Sequence, residues 1–290
     1  MTNQAQTAIF IHILKTAGTT LHHIIGRQYA DDAMFSTWEN NLHPNEAIPI
    51  LEQMPEDEKA KIRIIKGHLP YGMHHYLNQP ASYFTLLRDP VERVLSFYYF
   101  LRRNKEHYLY DMVNDPQRSL ADFLKAEASI YLDNAQLRFI TGLLYTVPYG
   151  ALTDEHLDLA KVLLRTKYEV VGVTDEFDGV LLLLKRAYGW GNITYMSHNV
   201  TTKRPARESL SAEELGLIEK DNRYDQMLFE YVQELYEAKK VEYGPSFDSD
   251  LARFQQMNRL VAPLLRLQWR LRQVSVSGWL KRERNDRVTE

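Results

Sequence analysis

Four short, mostly apolar runs set the ground plan of this chain: residues 8–13 (AIFIHI), 62–65 (IRII), 82–87 (SYFTLL) and 168–173 (YEVVGV). Runs this short, rich in β-branched and aromatic side chains, fit strands buried on both faces of a parallel sheet. Between them apolar residues recur at helical spacing. Leu21, Ile24 and Ile25 mark a helix from residue 19, and residues 91–101 continue one that Pro90 opens at its first turn. Further helices are predicted at 120–125, 134–140, 176–188 and 222–239. Thr153, followed by Asp154 and Glu155, caps a helix running to about residue 165, and Ser211 caps the next. Residues 40–61 are polar, acidic and proline-bearing, and read as a connection with one short surface helix.

Strands alternating with helices predict an α/β three-layer sandwich, a central parallel sheet flanked by helices. Pro245 separates this body, residues 1–245, from a basic amphipathic helical C-terminal extension, residues 246–290. In that extension Leu251, Phe254, Met257, Leu260, Val261, Leu264 and Leu267 recur at near-helical spacing, and Pro263 is expected to kink it.

Composition narrows the picture. A chain of 290 residues with 44% hydrophobic and 11% aromatic content can bury a core, and the absence of cysteine excludes disulfides and thiolate metal sites. Residues 1–10 (MTNQAQTAIF) lack the features of a signal peptide, and no uninterrupted apolar stretch reaches the ~18 residues of a membrane span. A cytoplasmic protein is expected. The net charge of −3 hides an asymmetry: residues 251–290 carry nine basic and three acidic residues, a net +6, leaving −9 on the rest. Three roles are open to that tail: packing on the body, oligomerisation, or contact with an anionic membrane through Trp269 and Trp279. Nothing points to nucleic acid.

In parallel α/β sheets ligands bind beyond the C-terminal ends of the strands. Three predicted strands end there in unusual chemistry: Lys15-Thr16-Ala17-Gly18-Thr19-Thr20, Lys66-Gly67-His68 and Arg88-Asp89-Pro90. A helix N-terminus, small residues at Ala17 and Gly18, three hydroxyls and Lys15 together suit a phosphate or sulfate. The lysine precedes the glycine and no glycine lies upstream, so this is not the loop of nucleoside triphosphatases. From the loop alone, an ordinary strand–helix turn with Lys15 in solvent is equally open.

Several segments carry a resemblance in order. FIHILKTAGTTL (10–21) resembles the 5′-phosphosulfate loop of sulfotransferases that use 3′-phosphoadenosine 5′-phosphosulfate (PAPS). YFTLLRDPVERVLSFYYFLR (83–102) resembles their 3′-phosphate-binding strand–turn–helix. Gly67-His68 between them, with DNAQLRFITG (133–142), VGVTDEFDGVLLLLKRAYGW (171–190) and HNVTTKRP (198–205), is most similar to the branch containing heparan sulfate 2-O-sulfotransferase and its bacterial relatives. The resemblance covers residues 8 to about 206 and implies a P-loop-like fold, PAPS as co-substrate, and no required metal.

It also implies site residues. Lys15, Thr16, Ala17, Gly18, Thr19 and Thr20 would bind the 5′-phosphosulfate, with Lys15 at the leaving oxygen; Arg88 and Ser96 would bind the 3′-phosphate; His68 would be the catalytic base. Lys203 and Arg204 lie in a segment resembling a flap over the nucleotide. His12 is either a satisfied core histidine or part of the acceptor site; His22, His23, His74, His75 and His107 are assigned to the surface or to supporting positions; Asn134 and Gln136 are candidates for the cleft wall. Two residues depart from the family pattern. Leu14 stands where proline is usual, and Ala17 where many members have glycine. Because alanine lacks glycine's freedom at positive φ, a right-handed conformation is expected at Ala17.

The implied activity is transfer of a sulfuryl group to an acceptor hydroxyl, that of a carbohydrate or glycolipid being the expected class. A P-loop-like nucleotide kinase or triphosphatase, and a non-catalytic module for anionic ligands, are the competing readings.

Overall fold

The computed structural model describes residues 6–38, 42–196 and 207–286, with side chains described through Leu267. Its centre is a parallel five-stranded sheet: β1 (Thr7–Ile11), β2 (Met34–Ser36), β3 (Ile64–Gly67), β4 (Ala81–Leu87) and β5 (Tyr168–Val173), in the order β2-β3-β1-β4-β5. Ala8 pairs with Ile64 on one side of β1 and with Ser82 on the other, so all the strands run in one direction and their C-terminal ends share one edge. β4 and β5 pair with an irregularity between Tyr83 and Phe84.

The strand residues are divided between the two faces by their alternation. Ala8 and Phe10 of β1 join Ile64, Phe84, Leu86 and Val170 against α1 (Gly18–Ile25). Ile9 and Ile11 join Ile65, Tyr83, Leu87 and Val171 on the opposite face, against α2 (Pro44–Gln53). After the short α3 (Glu56–Lys59) and β4, four helices follow: α4 (Pro90–Leu101), α5 (Tyr110–Asn114), α6 (Leu120–Lys125) and α7 (Ala135–Thr141). The first three build a separate apolar cluster around Val94, Phe97, Val113 and Phe123, while α7 joins the core on the α2 face. α8 (Asp154–Thr166) lies on the α2 face and α9 (Phe177–Tyr188) on the α1 face. α10 (Ala212–Asp221) closes the α4 cluster through Ile218, and α11 (Arg223–Tyr243) runs along the α2 face. The last element, α12 (Phe247–Asp286), is a 40-residue helix rooted by Phe247 and Phe254 in the α1 face.

The three-layer sandwich with a helical C-terminal region is thus present. Several details differ from the sequence reading. β3 runs Ile64–Gly67 rather than 62–65, so Lys66 and Gly67 belong to the strand itself. Met34–Ser36 forms a fifth, edge strand, too short to show a pattern of its own and held by pairing with β3. The 40–61 connection contains two helices, because His43 and Glu46 form a capping box that starts α2 at Pro44. Pro263 lies inside α12, whose helix runs on past it.

Candidate active site

The β1–α1 loop is set by two residues in the left-handed region, Lys15 (φ 72°) and Ala17 (φ 62°). This overturns the right-handed conformation expected at Ala17. The tertiary frame holds both residues there, at about 1 kcal/mol each for a side chain with a Cβ. Thr16 is buried and donates its hydroxyl to the Ile13 carbonyl at 2.8 Å, so it shapes the loop from within. Gly18 opens α1 directly against the His12 ring: a Cβ at this position would stand 1.9 Å from His12 Cδ2 and Nε2. α1 starts without a side-chain cap and without an acidic residue in its first turn. Its dipole and first-turn amides are therefore left to favour an anion. Thr20 is buried and Thr19 half-buried in that turn.

A cationic group forms beside this loop. Arg88, at the exit of β4, donates from one guanidinium nitrogen to the Lys15 carbonyl at 3.3 Å and pairs with Glu92 at 3.2 Å. Asp89 caps α4 by accepting from the Glu92 amide at 2.9 Å. Glu92, Ser96 and Phe100 follow at intervals of four on one helix face, with Arg88 at one end and the Lys15 ammonium over the Phe100 ring, 4.4 Å from its centroid, at the other. Half-buried Ser96 thus sits between the two cations. Burial, then Arg103 and Arg88, lower the Lys15 pKa to about 8. Lys15 at this site is a partly desolvated ammonium with two positive neighbours, a state an arriving anion relieves.

Gln136 and Asn134, the candidates for a cleft wall, do other work. Buried Gln136 accepts from the Arg88 amide at 2.8 Å and donates to the Arg88 carbonyl at 2.9 Å, fixing the backbone from which the guanidinium extends. Asn134 accepts from the amides of Tyr224 and Asp225, capping the start of α11. Both are consumed by buried backbone groups that need partners.

Across from the cations, β3 ends in a neutral, aromatic half of the site. Gly67 (φ 149°) has no room for a side chain, since a Cβ would meet the Thr37 hydroxyl at 1.9 Å. The next residue, His68, donates from Nδ1–H to the His12 carbonyl at 2.7 Å. A carbonyl only accepts, so the tautomer is fixed and Nε2 keeps its lone pair. His68 stacks on the His12 ring at 4.1 Å; His12 Nδ1 bonds His22 Nε2 at 3.0 Å; and His22 stacks on Trp38 at 4.7 Å. Burial lowers all three: His68 to about 4, His22 to about 2, and His12 well below its ordinary value. His68 is held lower still by Lys15 and opposed by its bond to the His12 carbonyl, so the two halves are electrically coupled.

The structure therefore brings Lys15, Arg88 and Ser96 together beside the uncapped N-terminus of α1, with His68 opposite. Lys203 and Arg204 lie outside the described residues. His12 is buried and bonded to His22, which the sequence reading left among surface or supporting positions. Phe100, Arg103 and Trp38 were not picked out at all: a single aromatic or arginine at the end of a helix or short strand carries no spacing signal.

Comparison with known proteins is consistent with this geometry. Residues 1–136 match the family model described as Sulfotransferase family. The chain is also 23% identical over 228 residues to heparan sulfate 2-O-sulfotransferase 1 of Gallus gallus, an alignment covering 70% of this chain and 64% of that protein. Both findings are similarities to sulfotransferases. Among the described residues no helix is long and apolar enough to cross a membrane.

Proposed function

We propose that the protein is a PAPS-dependent sulfotransferase acting on an acceptor hydroxyl of a carbohydrate or glycolipid. The observation that carries this reading is the pairing, at one edge of the sheet, of a cationic loop with a neutral histidine of fixed tautomer. The donor residues suit the co-substrate. The α1 N-terminus with Lys15, Thr16, Ala17, Gly18, Thr19 and Thr20 would receive the 5′-phosphosulfate, and Arg88 with Ser96 the 3′-phosphate, for which a guanidinium offers a forked contact. A bound phosphate would compete with Glu92 for Arg88. Lys203 and Arg204 are proposed as further nucleotide-binding residues. Residues 1–245 would carry the activity, with 246–290 as an appended extension, in a cytoplasmic setting that a cysteine-free chain suits.

In the reaction, the acceptor hydroxyl attacks sulfur in line with the phosphate oxygen. A new O–S bond forms, the S–O bond to the 5′-phosphate breaks, and the hydroxyl proton passes to His68 Nε2. Charge develops on the departing phosphate oxygen, and Lys15 is placed to offset it. Because Nδ1 is committed to the His12 carbonyl, His68 faces the acceptor with a lone pair at every pH above about 4. A carbohydrate acceptor follows the substrate named for the relative, and Trp38, 36% exposed and 5.6 Å from the His68 ring, offers a flat apolar surface for a sugar ring.

The test is a transfer assay with PAPS across glycans and glycolipids, the modified position mapped by mass spectrometry, alongside thermal shifts with the product nucleotide 3′-phosphoadenosine 5′-phosphate (PAP) and with ATP–Mg²⁺. Stabilisation by PAP with sulfate transfer supports the reading. Stabilisation by ATP–Mg²⁺ alone would return a kinase or triphosphatase, and PAP binding without transfer to any acceptor a binding module.

A further inference from the structure

The terminal helix α12 has a surface that the transferase site does not use. Its first turns are fastened to the body: Phe247 and Phe254 are buried, and the Tyr195 amide donates to Asn258 Oδ1 at 2.7 Å. Beyond that point the helix runs to Asp286, about 40 Å at 1.5 Å per residue. On its outer side Met257 is 46% exposed, Leu260 72%, Leu264 60% and Leu267 55%. These positions, continued in the sequence by Leu271 and Val274, lie in one sector about 100° wide on a helix of 3.6 residues per turn. Arg259, Arg266 and Arg270 fall in the adjoining sector.

Charge decides between the two partners that such a stripe suits. The 3-4-3-4-3 spacing of residues 257, 260, 264, 267, 271 and 274 is compatible with a coiled coil of two copies. Yet no Asp or Glu occurs from Leu251 to Arg282, a stretch with seven Arg and Lys residues. Two such helices side by side would set like charges together, with no carboxylate along that stretch to answer them. An apolar stripe bordered by arginines instead matches the boundary of an anionic bilayer, where leucines enter the acyl region and guanidinium groups reach the headgroups.

We propose that α12 is a membrane-surface helix that docks the enzyme, in the plane of the interface, on bilayers containing anionic lipid. This does not depend on the reaction assigned to the sheet. The test is sedimentation of the full chain with phosphatidylcholine vesicles, with and without phosphatidylglycerol. Anionic vesicles should bind at least about tenfold more tightly than neutral ones, with most of the difference lost between about 0.1 and about 0.5 M salt. The double variant Leu260→Asp, Leu264→Asp should lose about tenfold or more in vesicle binding. Both residues are exposed, so its circular dichroism and PAP-induced thermal shift should match the parent. Equal binding to the two vesicle types, or none, overturns the proposal. So does a dimer by sedimentation velocity that the double variant dissolves, which would assign the stripe to a second copy of this chain.

Discussion

The two halves of the candidate site are made by the same operation, burial at the end of a parallel strand, and reach opposite electrical states. At the exits of β1 and β4, burial acts on Lys15 with Arg88 and Arg103 nearby, and brings its pKa to about 8: charged at neutral pH but easily discharged. At the exit of β3, burial acts on His68 with His12 stacked beside it, and brings it to about 4: neutral at the same pH. A low-dielectric pocket disfavours the charged form of both groups. Which form survives at pH 7 depends on the starting value, and that is a matter of residue type. A lysine and a histidine at neighbouring strand ends therefore give a cation and a neutral imidazole from one environment.

The largest expected effect separates the halves outright. His68→Ala should lower transfer by about 10²–10⁴, the usual worth of a positioned general base, while PAP binds as before. Normal turnover in this variant would remove the base from His68. On the cationic side, Arg88→Ala and Lys15→Ala should each weaken PAP binding by about 10–100-fold, the range for charge-assisted contacts, as read by calorimetry. Unchanged affinity in both would break the assignment of that half.

The pH response tests the shared cause. In kcat/KM, which reports the free enzyme, His68 gives no limb near the ordinary histidine value of ~6.5; its acid limb lies near 4, and an alkaline limb lies near 8 as Lys15 loses its charge. Stability carries the complementary sign. Unfolded His12, His22 and His68 take up protons below pH ~6.5 while the folded rings resist, so stability should fall as the pH drops from about 6.5, by up to about 1.4 kcal/mol per unit for each histidine. Denaturation midpoints that stay flat between pH 7 and 5 would mean that the rings are not buried as neutral species. The smallest effect concerns the loop itself: Ala17→Gly should raise stability by up to about 1 kcal/mol by relieving the left-handed alanine, measurable as a higher melting temperature.

The sequence by itself determined the four long-enough strands, the helices that carry caps or clear apolar spacing, and the chemistry at three strand ends. β5 at 168–173 and α6 at 120–125 have the predicted bounds, because a mostly apolar run and an amphipathic segment are local signals. Lys15, Arg88 and His68 stand at strand ends that the apolar runs mark, but the roles given to them and to Ser96 were implied by the resemblance of the surrounding segments to sulfotransferase motifs. The tertiary structure decided what no local pattern encodes. It gave the edge strand Met34–Ser36, which exists through its pairing with Ile64–Lys66, and the positive φ of Ala17, imposed where α1 meets the His12 ring. It also turned Gln136 from a possible cleft residue into the clamp on the Arg88 backbone. The same holds for the column Trp38–His22–His12–His68, whose members are 10 to 56 positions apart in sequence yet packed ring against ring in space. Periodicity reports which face of its own element a side chain occupies. Which strand end or helix it then meets, and whether water is excluded between them, is settled only when the elements pack.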